Sequence, residues 1–108
     1  MASKPEFVEF VADQLQDAGV ITYRKMFGEY GLYCNGKNFA LICNNQLFIK
    51  ITGAGRELCP DLQEAPPYQN AKNCFLIEDI ENQELLTKLV TVTCAELPDP
   101  KPKKRRKD

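Results

Sequence analysis

The sequence predicts an α+β fold of two layers, in which N- and C-terminal helices pack on an antiparallel meander sheet. Three observations predict it. An amphipathic segment lies at each end of the chain, runs of β-branched and aromatic residues fill residues 20–51, and two dipeptides typical of tight turns, Asn35-Gly36 and Asn44-Asn45, interrupt those runs. The expected order of elements is α-β-β-β-β-(short α)-β-α.

The first expected element is a helix that begins at about Lys4. Ser3 and Glu6 match a capping box, and Pro5 suits a first helical turn because its missing amide hydrogen has no partner there. Gly19 supplies the left-handed residue that commonly ends a helix. The apolar face repeats at helical spacing and consists of Phe7, Val8, Val11, Ala12, Leu15 and Ala18.

Four strands are expected between the first helix and residue 51. They cover Val20 to Phe27, Tyr30 to Cys34, Lys37 to Cys43 and Gln46 to Ile51. A two-residue turn at Asn35-Gly36 would place Leu32 opposite Phe39, since the length of the loop fixes the register. The third strand is then apolar on both faces, with Phe39, Leu41 and Cys43 on one and Ala40 and Ile42 on the other. We therefore expect a helix, a loop or another subunit to cover the second face of the sheet.

In the last third of the chain, the sequence pattern for secondary structure is weak at first and then clear. Gly53 to Gly55 is a break, and a short helix interrupted by Pro60 is expected within Arg56 to Glu64. A strand is expected at Cys74 to Ile77 and a helix from about Gln83 to Glu96. Residues 1–97 are thus expected to form a single domain, since 108 residues suit one core, and residues 98–108 a disordered tail.

The charge of the chain is divided unevenly between body and tail. The net charge is -1, but residues 98–108 hold six basic and two acidic residues, a charge of +4, which leaves -5 for residues 1–97. The body therefore lacks a basic footprint for nucleic acid. Two roles fit the tail: a solubilising end without a partner, and a site that binds nucleic acid. Its basic residues are Lys101, Lys103, Lys104, Arg105, Arg106 and Lys107.

Cysteine and histidine usage argues against several classes of active site. The five cysteines form no Cys-x-x-Cys pair and are an odd number, so free thiols are expected rather than a disulfide framework. The chain has no histidine, which removes the usual general base and the commonest metal ligand. No metal or cofactor is expected. No apolar run is long enough for a membrane span, and a cytoplasmic protein is expected.

Carboxylates are the remaining candidates for acid–base catalysis. Asp13, Glu29 and the pair Glu78-Asp79 could serve. Asp13 lies on the polar face of the first helix, and Glu78-Asp79 precede the last helix, where acids favour the helix dipole. Solvated structural roles are favoured for all of them, and an enzyme is not expected.

One motif carries a specific resemblance. The run Arg24-Lys25-Met26-Phe27-Gly28-x-Tyr30-Gly31-Leu32-Tyr33, followed by the segments 35–42 and 47–50, closely resembles the TfoX/Sxy N-terminal-domain family. The resemblance extends less strongly over the first helix and the segment around Pro67-Tyr68. It implies a two-layer α+β domain and brings no catalytic residue, metal or cofactor.

The same resemblance implies a function. Bacterial proteins of this family are associated with regulating competence genes for DNA uptake as coactivators or accessory factors. We therefore expect a non-enzymatic domain that binds a protein partner or forms a homodimer; the alternative is a small nucleic-acid-binding accessory protein acting through its basic tail. The expected partner surface or structural motif consists of Arg24, Lys25, Met26, Phe27, Gly28, Tyr30 and Gly31.

Two features depart from the family pattern. Longer TfoX-type regulators continue into a helical C-terminal domain, whereas this sequence continues into the basic tail after residue 97. The position of Glu29 is often a glycine in the family.

Overall fold

The computed structural model describes residues 3–26 and 28–97 and confirms the predicted fold class. The helices are α1 (Pro5–Gln14), α2 (Gly53–Leu58) and α3 (Gln83–Glu96), and a 3-10 turn (Gln16–Ala18) follows α1. The strands are β1 (Ile21–Met26), β2 (Glu29–Cys34), β3 (Lys37–Cys43), β4 (Gln46–Ile49), β5 (Glu64–Ala65) and β6 (Cys74–Ile77).

The six strands form one antiparallel sheet in the order β1-β2-β3-β4-β6-β5. The first four strands follow one another as the predicted meander. β5 was not predicted, because two residues next to Pro66 carry too little pattern to indicate a strand. β1 and β5 are the two edges of the sheet, and β1 is the longer of them.

The ends of α1 differ from the sequence prediction. The predicted capping box is wrong: Lys4 is the N-cap residue and its side chain makes no capping hydrogen bond, while the Ser3 hydroxyl accepts a hydrogen bond of 2.9 Å from the amide of Asn45. Pro5 does occupy the first helical turn. Gly19 has φ 153° and ψ -163°, which is not the left-handed helical conformation that was expected. A Cβ atom there would lie 2.8 Å from the Cys34 sulfur, so the chain needs glycine for this close approach.

The short helix α2 begins earlier than predicted. The hydroxyl of Thr52 accepts a hydrogen bond of 3.0 Å from the amide of Gly55 and so caps the helix. The two glycines that indicated a break therefore lie inside its first turn. The bounds of α3 agree with the prediction, and the side chain of Asn82 caps it by accepting from the amide of Leu85 at 3.3 Å.

The main core lies between the helices and one face of the sheet. It is made of apolar residues that are fully or almost fully buried. The helices contribute Val8, Val11, Leu86, Leu89 and Val90, and Leu15 follows α1 directly. The strands contribute Leu32, Phe39, Ala40, Ile42, Leu47, Ile49, Phe75 and Ile77.

A β-bulge changes the predicted register between β2 and β3. Leu32 lies opposite Ala40 rather than opposite Phe39, because the ladder shifts between Leu32 and Tyr33 and leaves Phe39 as the extra residue. Phe39 is fully buried in the main core together with Ala40 and Ile42. The predicted grouping of Phe39 with Leu41 and Cys43 on the opposite face is therefore wrong. The register between β3 and β4 has no such shift.

The second face of the sheet carries a smaller apolar cluster. Its buried members are Cys43, Phe48, Cys74 and Leu76, with Leu41 and Ala65 packed against them. All of these residues belong to strands. The cluster residues that the helices contribute belong to the main core on the other face. The exposed fraction of Phe48 is only 4% in the isolated chain, so burying this cluster does not require another subunit.

Candidate interaction surface

The predicted motif forms the hairpin of β1 and β2 at one edge of the sheet. Arg24 lies opposite Gly31 and Lys25 opposite Tyr30, and Gly28 in the connection has φ 81°, which favours glycine. The structure thus brings these five motif residues into one hairpin. Phe27 lies outside the described residues, and the backbone of Met26 ends β1.

The motif contains a structural part and an exposed part. Gly31 is buried in the middle of the sheet, between Arg24 on β1 and Leu41 on β3. Tyr30 is half-buried and packs against the main core. Arg24 and Lys25 are exposed. The exposed part is therefore the candidate contact surface, and we call the outward-facing side of residues 21–25 the β1 edge.

Aromatic contacts hold the side chains of the hairpin on both faces of the sheet. Tyr23 and Tyr30 meet edge to face, with ring centroids 6.2 Å apart and an interplanar angle of 71°. The guanidinium carbon of Arg24 lies 5.7 Å from the ring centroid of Tyr33 on the other face. Tyr23 was not among the predicted motif residues. It lies next to them on β1 and is 42% exposed.

Glu29 has a structural role that the sequence did not indicate. Its carboxylate accepts hydrogen bonds from the amide of Ser3 at 3.0 Å and from the amide of Asn44 at 2.9 Å. Desolvation raises the pKa of Glu29, but the hydrogen bonds from Asn44 and Ser3 together outweigh it and hold the pKa below its ordinary value of 4.5. The carboxylate therefore joins the start of β2 to the β3–β4 turn and to the segment before α1.

The remaining carboxylate candidates are surface residues. Asp13, Glu78 and Asp79 are all exposed. Within residues 3–26 and 28–97, no group of three or more histidine, cysteine, aspartate or glutamate side chains is arranged to hold a metal ion. None of the helices in this described part of the chain is long and apolar enough to cross a membrane.

All five cysteines are free and buried, as the odd count predicted. Burial raises the pKa of the thiols of Cys43, Cys59 and Cys74. Burial together with a hydrogen bond to Cys34 raises the pKa of Cys94 to about 12. These four thiols are thus neutral near pH 7, and a neutral thiol is a poor nucleophile.

The basic tail residues stay a sequence prediction. Lys101, Lys103, Lys104, Arg105, Arg106 and Lys107 all lie outside the described residues.

Comparison with known proteins agrees with the architecture. The family model described as the TfoX N-terminal domain matches residues 13–96, from within α1 to the end of α3. The chain belongs to the TfoX N-terminal domain family. A relative from Spirochaeta aurantia, described as an uncharacterized 12.7 kDa protein in the trpE 5′ region, is 36% identical over 107 residues, which are 98% of this chain and 93% of the relative. This TfoX N-terminal domain and its relative are therefore similar over nearly their full lengths.

Proposed function

We propose that this TfoX N-terminal domain is a non-catalytic protein-interaction module that serves as an accessory factor in transcriptional or competence regulation. The observation that carries the proposal is the position of the family motif. Its basic residues Arg24 and Lys25 are consecutive on the edge strand and are both exposed, one on each face of the sheet. On the neighbouring strand, Tyr30 packs against the main core and Gly31 pairs with Arg24.

The chemistry of the described side chains supports a binding role over a catalytic one. The thiols of Cys43, Cys59, Cys74 and Cys94 are held in the neutral form by burial. The carboxylate of Glu29 is held by two backbone amides. The chain has no histidine to act as a general base.

Affinity capture with the full chain tests this proposal. The wild type, an Arg24→Ser/Lys25→Ser variant and a control Lys72→Ser/Lys88→Ser variant would be immobilised, and the retained proteins quantified by mass spectrometry. Both pairs of lysine or arginine side chains are exposed, so the two variants lose equal charge from different surfaces. Wild type and control should retain the same partner, and the motif variant should retain less of it.

Direct binding then separates an interaction from co-purification. The purified partner should bind the wild type in calorimetry, and the motif variant should bind it more weakly, because interface energy is concentrated in few residues. A folded wild type that retains no protein above an empty matrix would refute the proposed function. Each variant's circular dichroism spectrum would verify that it is folded.

A further inference from the structure

We propose that the β1 edge binds an extended, acidic segment of a partner protein as an additional antiparallel strand, an inference that rests on the proposed interaction function. β1 is six residues long and contains no proline, and within residues 3–26 and 28–97 it pairs with β2 alone. The opposite edge, β5, has two residues. Of the two edges, β1 therefore offers the longer row of backbone groups to a further strand.

The pairing of β1 with β2 shows which backbone groups face outward. The amide of Asn35 donates a hydrogen bond of 2.9 Å to the carbonyl of Val20, so Val20 directs its carbonyl toward β2. Backbone groups alternate along an antiparallel ladder, so those of Thr22 and Arg24 also face β2. Those of Ile21, Tyr23 and Lys25 face outward. Among the described residues, no backbone hydrogen bond from outside the β1–β2 ladder reaches them.

The side chains of β1 indicate the chemistry of the occupant. Arg24 and Lys25 give the strand two positive charges, and the strand contains no acid. An added antiparallel strand would complement it with a carboxylate opposite Lys25, a second opposite Arg24 and an apolar residue opposite Tyr23. The exposed ring of Tyr23 supplies apolar contact area on the same face of the sheet as Lys25.

Charge argues against a second copy of this chain as the occupant. A symmetric antiparallel pair of β1 strands centred on Arg24 would place the two arginines opposite each other, which is destabilising. A pair centred on Tyr23 would place Arg24 opposite Thr22 and Lys25 opposite Ile21, and neither cation would gain a carboxylate. An acidic strand satisfies both cations and the outward backbone groups together.

A defined peptide tests the inference on the full chain. The probe is acetyl-Thr-Glu-Glu-Val-Thr-Val-Thr-amide, which places its two glutamates opposite Lys25 and Arg24 when it runs antiparallel to β1. The control peptide has two lysines in their place. Amide hydrogen exchange, followed by NMR, should slow by about tenfold at Ile21, Tyr23 and Lys25 with the acidic peptide at saturation. The lysine peptide should produce no comparable slowing.

Substitutions separate the backbone contribution from the charge contribution. Lys25→Pro removes an outward amide and a charge, and should abolish binding of the acidic peptide. Lys25→Glu keeps the amide, reverses the charge at an exposed position and should weaken binding by about fivefold. The matched control Lys72→Glu, also exposed, should change the affinity less than about twofold. If the proline variant does not fold, the Lys25→Glu comparison still decides the question.

Three results would overturn the inference. The first is equal protection by the two peptides, or protection by neither. The second is exchange that slows at these amides with protein concentration alone, because the occupant would then be a second copy. The third is a captured natural partner whose binding Lys25→Glu leaves unchanged. The third result would leave the proposed interaction function standing. A wild type that binds the acidic peptide but captures no protein would have the opposite meaning: it would refute the proposed function but not the strand site.

Discussion

The ammonium nitrogen of Lys37 lies 2.9 Å from the carbonyl oxygen of Cys94, and so joins the first residue of β3 to the last turn of α3. A second hydrogen bond, of 3.1 Å, reaches the carbonyl of Leu97. The last turn of α3 has no basic residue of its own, although its final carbonyls lack partners within the helix. A lysine from the sheet therefore supplies the cation that a helix C-terminus favours.

Replacing Lys37 with methionine should destabilise the fold. Methionine keeps an unbranched apolar side chain close to the length of the lysine stem but leaves the two carbonyls without their charged donor. The free energy of unfolding, measured by urea denaturation, should fall by about 1–2 kcal/mol. The exposed Lys72 provides the control, since Lys72→Met should change the free energy of unfolding by less than about 0.5 kcal/mol. Equal losses in the two variants would contradict a specific role for Lys37.

Glu29→Gln should lower stability in a way that depends on pH. The pKa of Glu29 is lowered in the folded state, so the carboxylate's contribution is present above its ordinary value of 4.5 and is lost as the pH falls through the folded value. The free energy of unfolding of the variant should therefore be lower by about 1–2 kcal/mol at pH 7, and the gap should narrow below pH 4.5. A gap of constant size from pH 7 to pH 3 would contradict this account. Glu9→Gln, on the exposed face of α1, is the matched control.

The local elements of the fold were predictable because their signals are local. The apolar spacing in α3 and the turn dipeptides are written in neighbouring residues, and Asn35, Gly36, Asn44 and Asn45 do have the positive φ values that such turns require. The bulge was not predictable, because the register assumed an uninterrupted ladder. The sheet instead accepts one extra residue, and this buries Phe39 in the main core.

The candidate surface was predictable only in part. The resemblance identified the motif, but which of its residues are exposed depends on the position of β1 at the edge of the sheet, and that position is a property of strand order. The role of Glu29 depends on Ser3 and Asn44, which are 26 and 15 residues away in sequence. No local pattern encodes contacts over such distances. Ser3 instead matched a helix cap that its hydroxyl does not form.

Thr93→Val should stabilise the protein. Thr93 on α3 is fully buried, and its hydroxyl has no hydrogen-bond partner among the described residues. Valine has nearly the same shape without the hydroxyl, so the substitution removes a desolvation cost and should raise the free energy of unfolding by about 1 kcal/mol. The control is Thr91→Val, since Thr91 is exposed and its hydroxyl donates a 2.7 Å hydrogen bond to the carbonyl of Thr87. A loss of stability in Thr93→Val would show that the hydroxyl has a partner in solution.

The cysteines should react with thiol reagents only after the protein opens. All five are buried, and the pKa of Cys94 is raised to about 12. In the native protein at pH 8, modification by a disulfide reagent should be at least about 100-fold slower than in denaturant, because attack needs an exposed thiolate. Mass spectrometry of the early products would identify any thiol that reacts first. Fast modification of Cys94 in the folded chain would contradict the burial of its thiol in the main core, beside Cys34 of β2.

The same thiol gives an alkaline pH dependence whose sign differs from that of Glu29. The pKa of Cys94 is raised in the folded state, so its contribution to stability is complete below the ordinary value of 9.0 and is lost as the pH rises through about 12. Cys94→Ala removes this ionisation. The difference in free energy of unfolding between wild type and variant should therefore shrink as the pH rises from 9 toward 12, since the wild type must keep one more buried thiol protonated than the variant. A difference that grows over this range would show that the Cys94 thiolate is stabilised in the fold, and the hydrogen bond to Cys34 would then be the first contact to re-examine.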